Sequence, residues 1–412
     1  MTLLQVLILI LVAGYVLERW LDHMNSKRWS DQLPDELKDI YDAEAYRKAQ
    51  LYDKANKQLS FITDTLSMLV MLVMLLIGTF GKLDDWAVSV TGSPVQATLL
   101  FFGVIAVASE LLGMPFSIYK TFVIEEKFGF NKITPRLFII DKIKSYLLGI
   151  FLLGGLIVLF SYLYETFEDH FWIYTWVAAS FIMVIMAMFY TSWLLPLFNK
   201  LKPLQEGPLR DAILAYCNKT GFGMSDVLVM DGSKRSSKAN AFFSGLGKRK
   251  KIVLFDTLIE KHTLPELVSV LAHETGHYKL KHVQSGVMLS VLQLGVMLFL
   301  FSLFMESSEI TTAMGGTHHT IELGLLAFGI LYSPISIMVG LLVNYLSRKH
   351  EFQADRYAAE TYDGSALKAA LKKLSVNNLS NLNPHPAYVF FYYSHPPLLQ
   401  RLSSLDKVHQ ND

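Results

Sequence analysis

The stretch "LAHETGHYKL" (271–280) places two histidines and a glutamate within five residues of one another. In a helix, His273 and His277 lie one above the other on the same face, because residues four apart are neighbours there. Two neutral imidazoles in that arrangement supply half of a tetrahedral zinc site. Glu274 lies one step round the helix, where its carboxylate can take a proton from water at the metal and pass it to a leaving amine. This spacing is typical of a metalloprotease helix. The alternative is a membrane-proximal helix with polar residues on its wet face.

A catalytic zinc needs a third protein ligand and leaves its fourth position open. Cysteine does not provide a cage, because the chain has only Cys217, which we expect to pack as a small residue in a helix. The better candidate is "SRKHEFQADRYA" (347–358), which offers Glu351 and Asp355 one helical turn apart. Glu351 would be the ligand and Asp355 would orient a ligating histidine. The other interpretation of this stretch is a charged helix at the membrane surface whose side chains pair with each other.

The elements around these residues follow from the same part of the chain. "DVLVMDGS" (226–233) alternates like a strand, and "NAFFSGLGKRKKIVLF" (240–255) has the pattern of two strands joined by a Gly/Lys turn. The histidine pair lies in a helical pattern that begins at Thr263, with Pro265 in the first turn and Glu266 three residues after the cap. We therefore predict an α+β arrangement around the histidine pair.

Composition indicates that most of the chain lies in a membrane. Of the 412 residues, 52% are hydrophobic and 18% are charged, whereas soluble domains have about a quarter of charged residues. The net charge is +1, and no basic run is interleaved with aromatic residues, so nucleic acid is not an expected partner.

Seven stretches are long and apolar enough, or nearly so, to cross a bilayer core about 30 Å thick. They are residues 2–17, 59–80, 95–118, 146–164, 171–195, 285–305 and 321–346. The first is short, but no basic residue precedes it and no convincing cleavage site follows it. We therefore interpret it as a retained span and not as a signal peptide.

The charges of the connecting loops predict the orientation. The first and third loops carry eight and six Lys or Arg residues, whereas the second, fourth and sixth carry one in total, Lys82. Because cytoplasmic loops retain positive charge, the odd-numbered loops and the tail are predicted to be cytoplasmic and the N-terminus outside. The HETGH stretch then faces the cytoplasm.

Several motifs occur together in a fixed order. They are "YKTFVIEEKFGFNKIT" at 119, "NAFFSG" at 240, "HETGH" at 273, "EFQAD" at 351 and "SHPPLLQRL" at 394. With the seven spans, they resemble the type I CAAX prenyl proteases, which are integral-membrane zinc metallopeptidases of the M48 class. The resemblance covers nearly the whole chain.

The resemblance implies a role for each matching residue of the metal site. One Zn²⁺ per chain would be bound by His273, His277 and Glu351. Glu274 would act as the general base. Asp355 is described as a proton donor in the family, and one turn from a ligand it is equally able to orient His273 or His277.

Further matches concern the substrate and the tail. Substrate backbone would lie along an edge strand containing Asn240, Ala241 and Phe242, with Asn240 near the scissile bond. His395 and Arg401 would approach from the tail, to stabilise the transition state or to support a ligand. Without the family, "HPP" at 395 would be interpreted as a plain turn or helix start.

The family fold implies a mainly α membrane protein with seven helices around an internal chamber, and a zincin-like α+β protease domain on the cytoplasmic side. We therefore divide the chain into a membrane region, 1–198, with five spans, and a metallopeptidase region, 199–412, which includes spans 285–305 and 321–346. Glu110 and Asn344 lie within spans, where polar residues usually face a cavity or a partner helix.

The expected partners are the bilayer and a peptide or protein substrate, including membrane-associated or lipid-modified ones. Short outer loops and a tail ending "LDKVHQND", without a retrieval signal, favour a bacterial inner membrane over the endoplasmic reticulum. Two alternative functions stay open: a membrane quality-control protease of the heat-shock M48 type, and a membrane scaffold that holds zinc without catalysis.

Overall fold

The structure of this protein is a computed structural model that describes residues 1–29, 32–33, 35–221, 226–246, 251–305 and 307–409. Over these residues the chain is mainly helical. The part before residue 199 contains helices α1 (Leu3–Ser26), α2 (Ala43–Leu76), α3 (Thr79–Val90), α4 (Pro94–Tyr119), α5 (Pro135–Gly149), α6 (Gly155–Phe167), α7 (Phe171–Trp193) and α8 (Leu195–Phe198).

The later part combines helices with a small sheet. Its strands are β1 (Leu201–Pro203), β2 (Asp226–Met230), β3 (Ala241–Ser244) and β4 (Lys251–Phe255). Its helices are α9 (Pro208–Lys219), α10 (Asp256–Lys261), α11 (Leu264–Lys279), α12 (His282–Phe304), α13 (Ser308–Ala313), α14 (Ile321–Ala358), α15 (Gly364–Asn377), α16 (Pro386–Tyr392) and α17 (Leu398–His409).

Within the described chain, six helical segments are long and apolar enough to cross a membrane. The seven predicted spans fall within them or overlap them, because the segment Pro135–Phe198 holds both 146–164 and 171–195, with a break at Glu168–His170. The predicted span 59–80 ends too late. α2 stops at Leu76, and Gly78, with φ of 66°, adopts the left-handed conformation that starts α3.

Local side chains define where several membrane helices begin. Thr2 and Gln5 form a capping box at the start of α1. Ser93 and Thr134 accept hydrogen bonds from the first turns of α4 and α5, and each is followed by a proline at the first helical position. These starts are therefore encoded locally.

The sheet has the strand order β1–β2–β4–β3, in which β2 and β4 are parallel and β3 is antiparallel to β4. β3 is therefore an edge strand. The strands predicted within 226–233 and 240–255 are confirmed. The predicted Gly/Lys turn between β3 and β4 lies partly outside the described residues, which omit 247–250.

α11 starts as predicted and lies in the main core. Thr263 and Glu266 form its capping box, and Pro265 lies in its first turn. Leu271 is fully buried in a core cluster that also contains Tyr46 of α2. Burying each such large apolar side chain contributes about 1.5–3 kcal/mol. Residues of α2 and α11 therefore belong to one core.

The membrane helices border an open cavity, and few of their residues are buried within the protein. Only 6–17% of the residues in their apolar windows are buried. A cavity of about 1390 Å³ lies between α1, α2 and α4, with charged lining residues such as Arg19 and apolar ones such as Phe116. Glu110 makes hydrogen bonds with Lys142 and Tyr146 of α5, and Asn344 donates to the Phe391 carbonyl of α16. Both polar residues therefore meet a partner helix.

Cys217 is packed as expected. Its side chain is buried on α9 in the main core. Burial raises the pKa of the Cys217 thiol to about 11, so the group is a neutral, unreactive filler at physiological pH.

Candidate metal centre

Three potential ligand atoms converge where α11 packs against α14. His277 Nε2 lies 3.2 Å from His273 Nε2 and 3.2 Å from Glu351 Oε1. His273 Nε2 lies 3.5 Å from Glu351 Oε2. Among the described residues, these three side chains form the one cluster of three or more His, Cys, Asp or Glu whose atoms lie close enough to hold a metal ion.

The donor set and its spacing fit a zinc ion. Two imidazoles and one carboxylate are the ligands of a catalytic zinc with one open position. Ligand atoms about 2.0–2.1 Å from a tetrahedral ion lie about 3.3–3.4 Å apart, which is close to the separations observed here. Glu351 Oε2 is also buried and makes only long contacts, 3.5 Å with His273 Nε2 and 3.4 Å with Arg401 Nη1, so it keeps a lone pair available for a cation.

Gly276 allows the two ligand-bearing helices to approach. A Cβ atom at this position would lie 3.1 Å from Ala354 Cα and 3.2 Å from Tyr357 Cβ, both on α14. These contacts are tighter than ordinary packing, so any larger residue would push α14 away. The glycine of HETGH thus determines how close Glu351 comes to the two histidines.

Behind His273, a buried ion pair supports the ring. Asp355 Oδ1 lies 2.9 Å from His273 Nδ1. Arg401 of α17 binds the same carboxylate in a bidentate manner, with distances of 2.6 and 2.8 Å. Since Asp355 accepts from Nδ1, the Nε2 atom of His273 is left free to face the ion. Asp355 therefore contacts the candidate ligand His273, and Arg401 contacts Asp355, as the sequence analysis expected.

The carboxylates also change the basicity of His273. Burial alone would lower its pKa, but the hydrogen bonds with Asp355 and Glu351 outweigh burial and raise the pKa to about 9. The electron-rich environment that holds a proton on the metal-free imidazole also favours a cation in the site, because proton and metal compete for the same nitrogen.

Glu274 is partly exposed, between the buried residues His273 and Thr275. It is also close enough to act electrostatically on Arg401. Burial would lower the pKa of Arg401, but Asp355, Glu351 and then Glu274 outweigh it and raise the pKa. Glu274 is therefore only partly buried and lies close enough to the metal centre to interact electrostatically with one of its groups.

The tail brings His395 to the same cluster. His395 Nε2 lies 3.3 Å from Glu351 Oε1, and its side chain is 64% exposed. Its Nδ1 atom lies 2.9 Å from the Ser394 hydroxyl. The imidazole therefore lies at the open side of the site, unlike the buried Arg401.

The predicted substrate strand is the edge strand β3. Asn240 is exposed immediately before it, and the Asn240 side chain accepts a hydrogen bond from the Ala241 amide. Ala241 and Phe243 pack toward the core that contains α11, whereas Phe242 packs with the opposite cluster. Asn240 accepts a hydrogen bond from the Phe255 amide, and hydrogen-bonded pairs alternate along an antiparallel ladder, so the Phe242 backbone pairs with β4. The backbone groups of Ala241 and Phe243 therefore face the open edge.

Sequence reasoning missed the residues that hold β3 in position. Lys238 Nζ donates to Tyr52 Oη at 2.7 Å and to Glu125 Oε2 at 3.1 Å, and it lies 4.3 Å from the centre of the Phe130 ring. Glu125 and Phe130 belong to the motif at 119–134. This motif was visible in the sequence, but it does not indicate that Lys238 is the residue that contacts it.

Sequence reasoning also missed His282 behind His277. His282 Nδ1 lies 3.1 Å from His277 Nδ1, and His282 Nε2 lies 3.0 Å from Gln353 Oε1. The signal was present as a third histidine five residues after His277, but this residue lies beyond the end of α11, where helical spacing no longer predicts its direction.

Comparisons with known proteins agree with this architecture. The chain matches "CAAX prenyl protease N-terminal, five membrane helices" over residues 22–200 and "Peptidase family M48" over residues 203–409. It is 32% identical to CAAX prenyl protease 1 of Saccharomyces cerevisiae, over 96% of this chain and 94% of the relative. It is 33% identical to the CAAX prenyl protease 1 homolog of Oryza sativa subsp. japonica, over 98% and 97%. The crystal structure of S. mikatae Ste24p has a TM-score of 0.92 at 33% identity, and the match covers 98% of this chain and 99% of that one.

The fold and the site define a multi-pass membrane protein with zinc-dependent endopeptidase activity. The chain belongs to the CAAX prenyl protease 1 family of M48 metallopeptidases. The predicted family, fold class and enzyme class are thereby confirmed. The predicted bacterial inner membrane is not supported, because these relatives are eukaryotic. Short loops follow from how closely helix ends pack and do not distinguish one membrane from another.

Proposed function

We propose that this protein cleaves peptide bonds in substrates that carry a lipid near the scissile bond, using one Zn²⁺ held by His273, His277 and Glu351. The observation that carries this proposal is the convergence of three ligand atoms within hydrogen-bonding range of one another on α11 and α14. The lipid part is motivated by the names of the relatives, which are prenyl proteases.

The residues around the metal would share the chemistry. Zn²⁺ at these ligands supplies Lewis acidity, which polarises a carbonyl group and acidifies water. Glu274 accepts the proton of the attacking water and delivers it to the leaving amine. His395, exposed beside Glu351, donates a hydrogen bond toward the negative charge that develops on the carbonyl oxygen. Asp355 and Arg401 keep the His273 ring oriented.

Substrate backbone would add to β3 as a further strand. The free edge of β3 supports this, since an edge strand presents unpaired backbone groups to an extended peptide. Phe243 of β3 packs against Tyr278 of α11, with ring centres 5.5 Å apart. A peptide on this edge would therefore run beside the helix that carries His277.

We also propose that the metal centre faces the cytoplasm. The alternation of Lys and Arg between loops supports this orientation. Substrates would then be cytoplasmic proteins held at the membrane surface, and the lipid would enter between membrane helices.

Peptide cleavage by purified protein tests the function directly. Wild type and Glu274→Gln, in detergent, receive one peptide sequence with and without a C-terminal farnesyl cysteine methyl ester, and the products are analysed by mass spectrometry. We expect wild type to cleave and Glu274→Gln to lose about 10²–10⁴-fold in rate, with one zinc retained per chain. Asp211→Asn, at an exposed position of α9, is a matched charge control and should cleave normally.

The outcomes separate the parts of the proposal. Absence of cleavage of either peptide by zinc-loaded wild type would contradict the peptidase assignment for these substrates. Equal cleavage of both peptides would contradict the lipid requirement alone. Cleavage by Glu274→Gln at the wild-type rate would contradict the role of Glu274 as the base.

A further inference from the structure

The two ligand histidines are supported from behind by different chemistry. His273 faces the carboxylate of Asp355, which can only accept a hydrogen bond. His277 instead faces another imidazole, because its Nδ1 lies 3.1 Å from Nδ1 of His282. Two nitrogens at this distance share one proton, so one ring donates and the other accepts. Which ring donates decides whether His277 presents a free Nε2 to the metal.

The backbone between α11 and α12 brings His282 to this position. α11 ends at Lys279, and Lys281 has a left-handed conformation with φ of 61° before α12 begins at His282. Such a conformation is uncommon for a residue with a side chain and reverses the chain sharply. His282 is thereby buried beneath His277, with ring centres 5.2 Å apart.

Gln353 determines which ring donates. Its Oε1 atom lies 3.0 Å from His282 Nε2, and an amide oxygen can only accept. His282 Nε2 therefore carries the proton, and Nδ1 of the neutral His282 ring is an acceptor. The Nδ1 of His277 must then be the donor, which leaves its Nε2 unprotonated, on the side where Glu351 Oε1 lies 3.2 Å away.

We propose that His282, oriented by Gln353, is a positioning residue that fixes the tautomer of His277 and so presents its Nε2 to the metal. This inference rests on the proposed metal site. A neutral acceptor orients the ring without adding a negative charge beside Glu351 and Glu274. His350 stacks on the His282 ring, with ring centres 4.0 Å apart and planes 8° from parallel.

Zinc affinity of three variants tests the proposal. The affinity is measured in detergent by competition with a chromophoric chelator. His282→Leu removes the acceptor, and we expect zinc to bind about 10–100-fold more weakly. His282→Asn places an amide oxygen near the former Nδ1 position and should recover most of the affinity. His318→Leu makes the same substitution at an exposed histidine outside the site and should bind zinc as wild type does.

The tautomer itself provides a second readout. Nitrogen NMR of the metal-free protein with isotope-labelled histidine should show His277 protonated at Nδ1 in wild type and Gln353→Glu, whose oxygens also accept. His282→Leu should show a mixture of tautomers. Equal zinc affinity in His282→Leu and wild type would overturn the inference, as would equal losses in the Leu and Asn variants. Absence of zinc binding by wild type would instead contradict the proposed metal site.

Discussion

α14 buries a carboxylate near each of its ends, about 44 Å apart along the helix. Glu351 lies near the C-terminal end, among two imidazoles and the Arg401 guanidinium. Glu322 lies in the first turn, where Thr98 donates a hydrogen bond of 2.9 Å to its carboxylate. A second carboxyl group, that of Asp84 on α3, lies beside Glu322, and Asp84 is 1% exposed.

The two ends compensate buried acid in opposite ways. At the metal centre, cationic and imidazole groups offset the negative charge of Glu351 and Asp355, so both carboxylates can stay ionised. At the other end two acids face each other, and burial together with Glu322 raises the pKa of Asp84 to about 7. A glutamate is therefore a candidate metal ligand at one end of α14, whereas at the other end it lies beside a second buried acid and accepts a hydrogen bond from Thr98.

Removing the charge at each end should separate the two roles most strongly. We expect Glu351→Gln to lose zinc and to reduce cleavage by about a thousand-fold or more, because the amide is a poor zinc ligand. Glu322→Gln should stay within about two-fold of wild type, because it keeps an oxygen for Thr98. Zinc per chain and peptide cleavage are measured on both variants. A loss of zinc in Glu322→Gln would show that the two ends are coupled through α14.

Asp355→Asn should destabilise the protein by about 3 kcal/mol, because the buried Arg401 loses its bidentate carboxylate partner and keeps only a longer contact of 3.4 Å with Glu351. Zinc affinity should also fall about 10–100-fold. The midpoint of thermal unfolding in detergent and chelator competition measure the two effects. The double variant Asp355→Asn, Arg401→Met removes both charges and should recover part of the stability but not the affinity. No recovery would mean that the ion pair is not the source of the loss.

Asp84→Asn should stabilise the folded protein, whereas Asp355→Asn should destabilise it, and the effect at Asp84 should depend on pH. The raised pKa of Asp84 means that the folded protein binds a proton more tightly than the unfolded chain. The stability from this proton is complete below about pH 4 and is lost as the pH rises through about 7. The variant should therefore gain stability relative to wild type across this window, on the order of 2 kcal/mol, and the gain should level off above it.

Unfolding midpoints of wild type and Asp84→Asn between pH 4 and pH 8 measure this gain. Asp85→Asn is the matched control, because it removes the same charge from the next residue, whose side chain is partly exposed. A difference between Asp84→Asn and wild type that does not change with pH would contradict the raised pKa of Asp84.

The metal site was largely predictable from local spacing. His273, Glu274 and His277 lie within five residues on a helix whose capping box and proline are also local. The strand in 226–233 and both strands in 240–255 follow from alternation and turn residues. The edge position of β3 was implied only by the family resemblance, because strand order depends on which strands pair across the sheet.

The supports behind the ligands depend on long-range packing and could not be predicted from the residues alone. Arg401 and Asp355 are 46 positions apart in the sequence, and Lys238 and Glu125 are 113 positions apart. Glu322 and Asp84 were not recognised at all, because each is one acidic residue in a loop or helix end when seen in the sequence. Their burial next to each other becomes visible only when α3 packs on α14.

By itself the sequence determined the spans, the helix starts, the spacing of the metal ligands and the family, because apolar length, capping and helical periodicity are properties of neighbouring residues. The tertiary structure alone decided which hydrogen-bond partner lies behind each ligand histidine. It also decided how near Glu351 comes to them, through the contact of Gly276 with α14. Those features arise where helices distant in the chain meet, and local patterns do not encode where they meet.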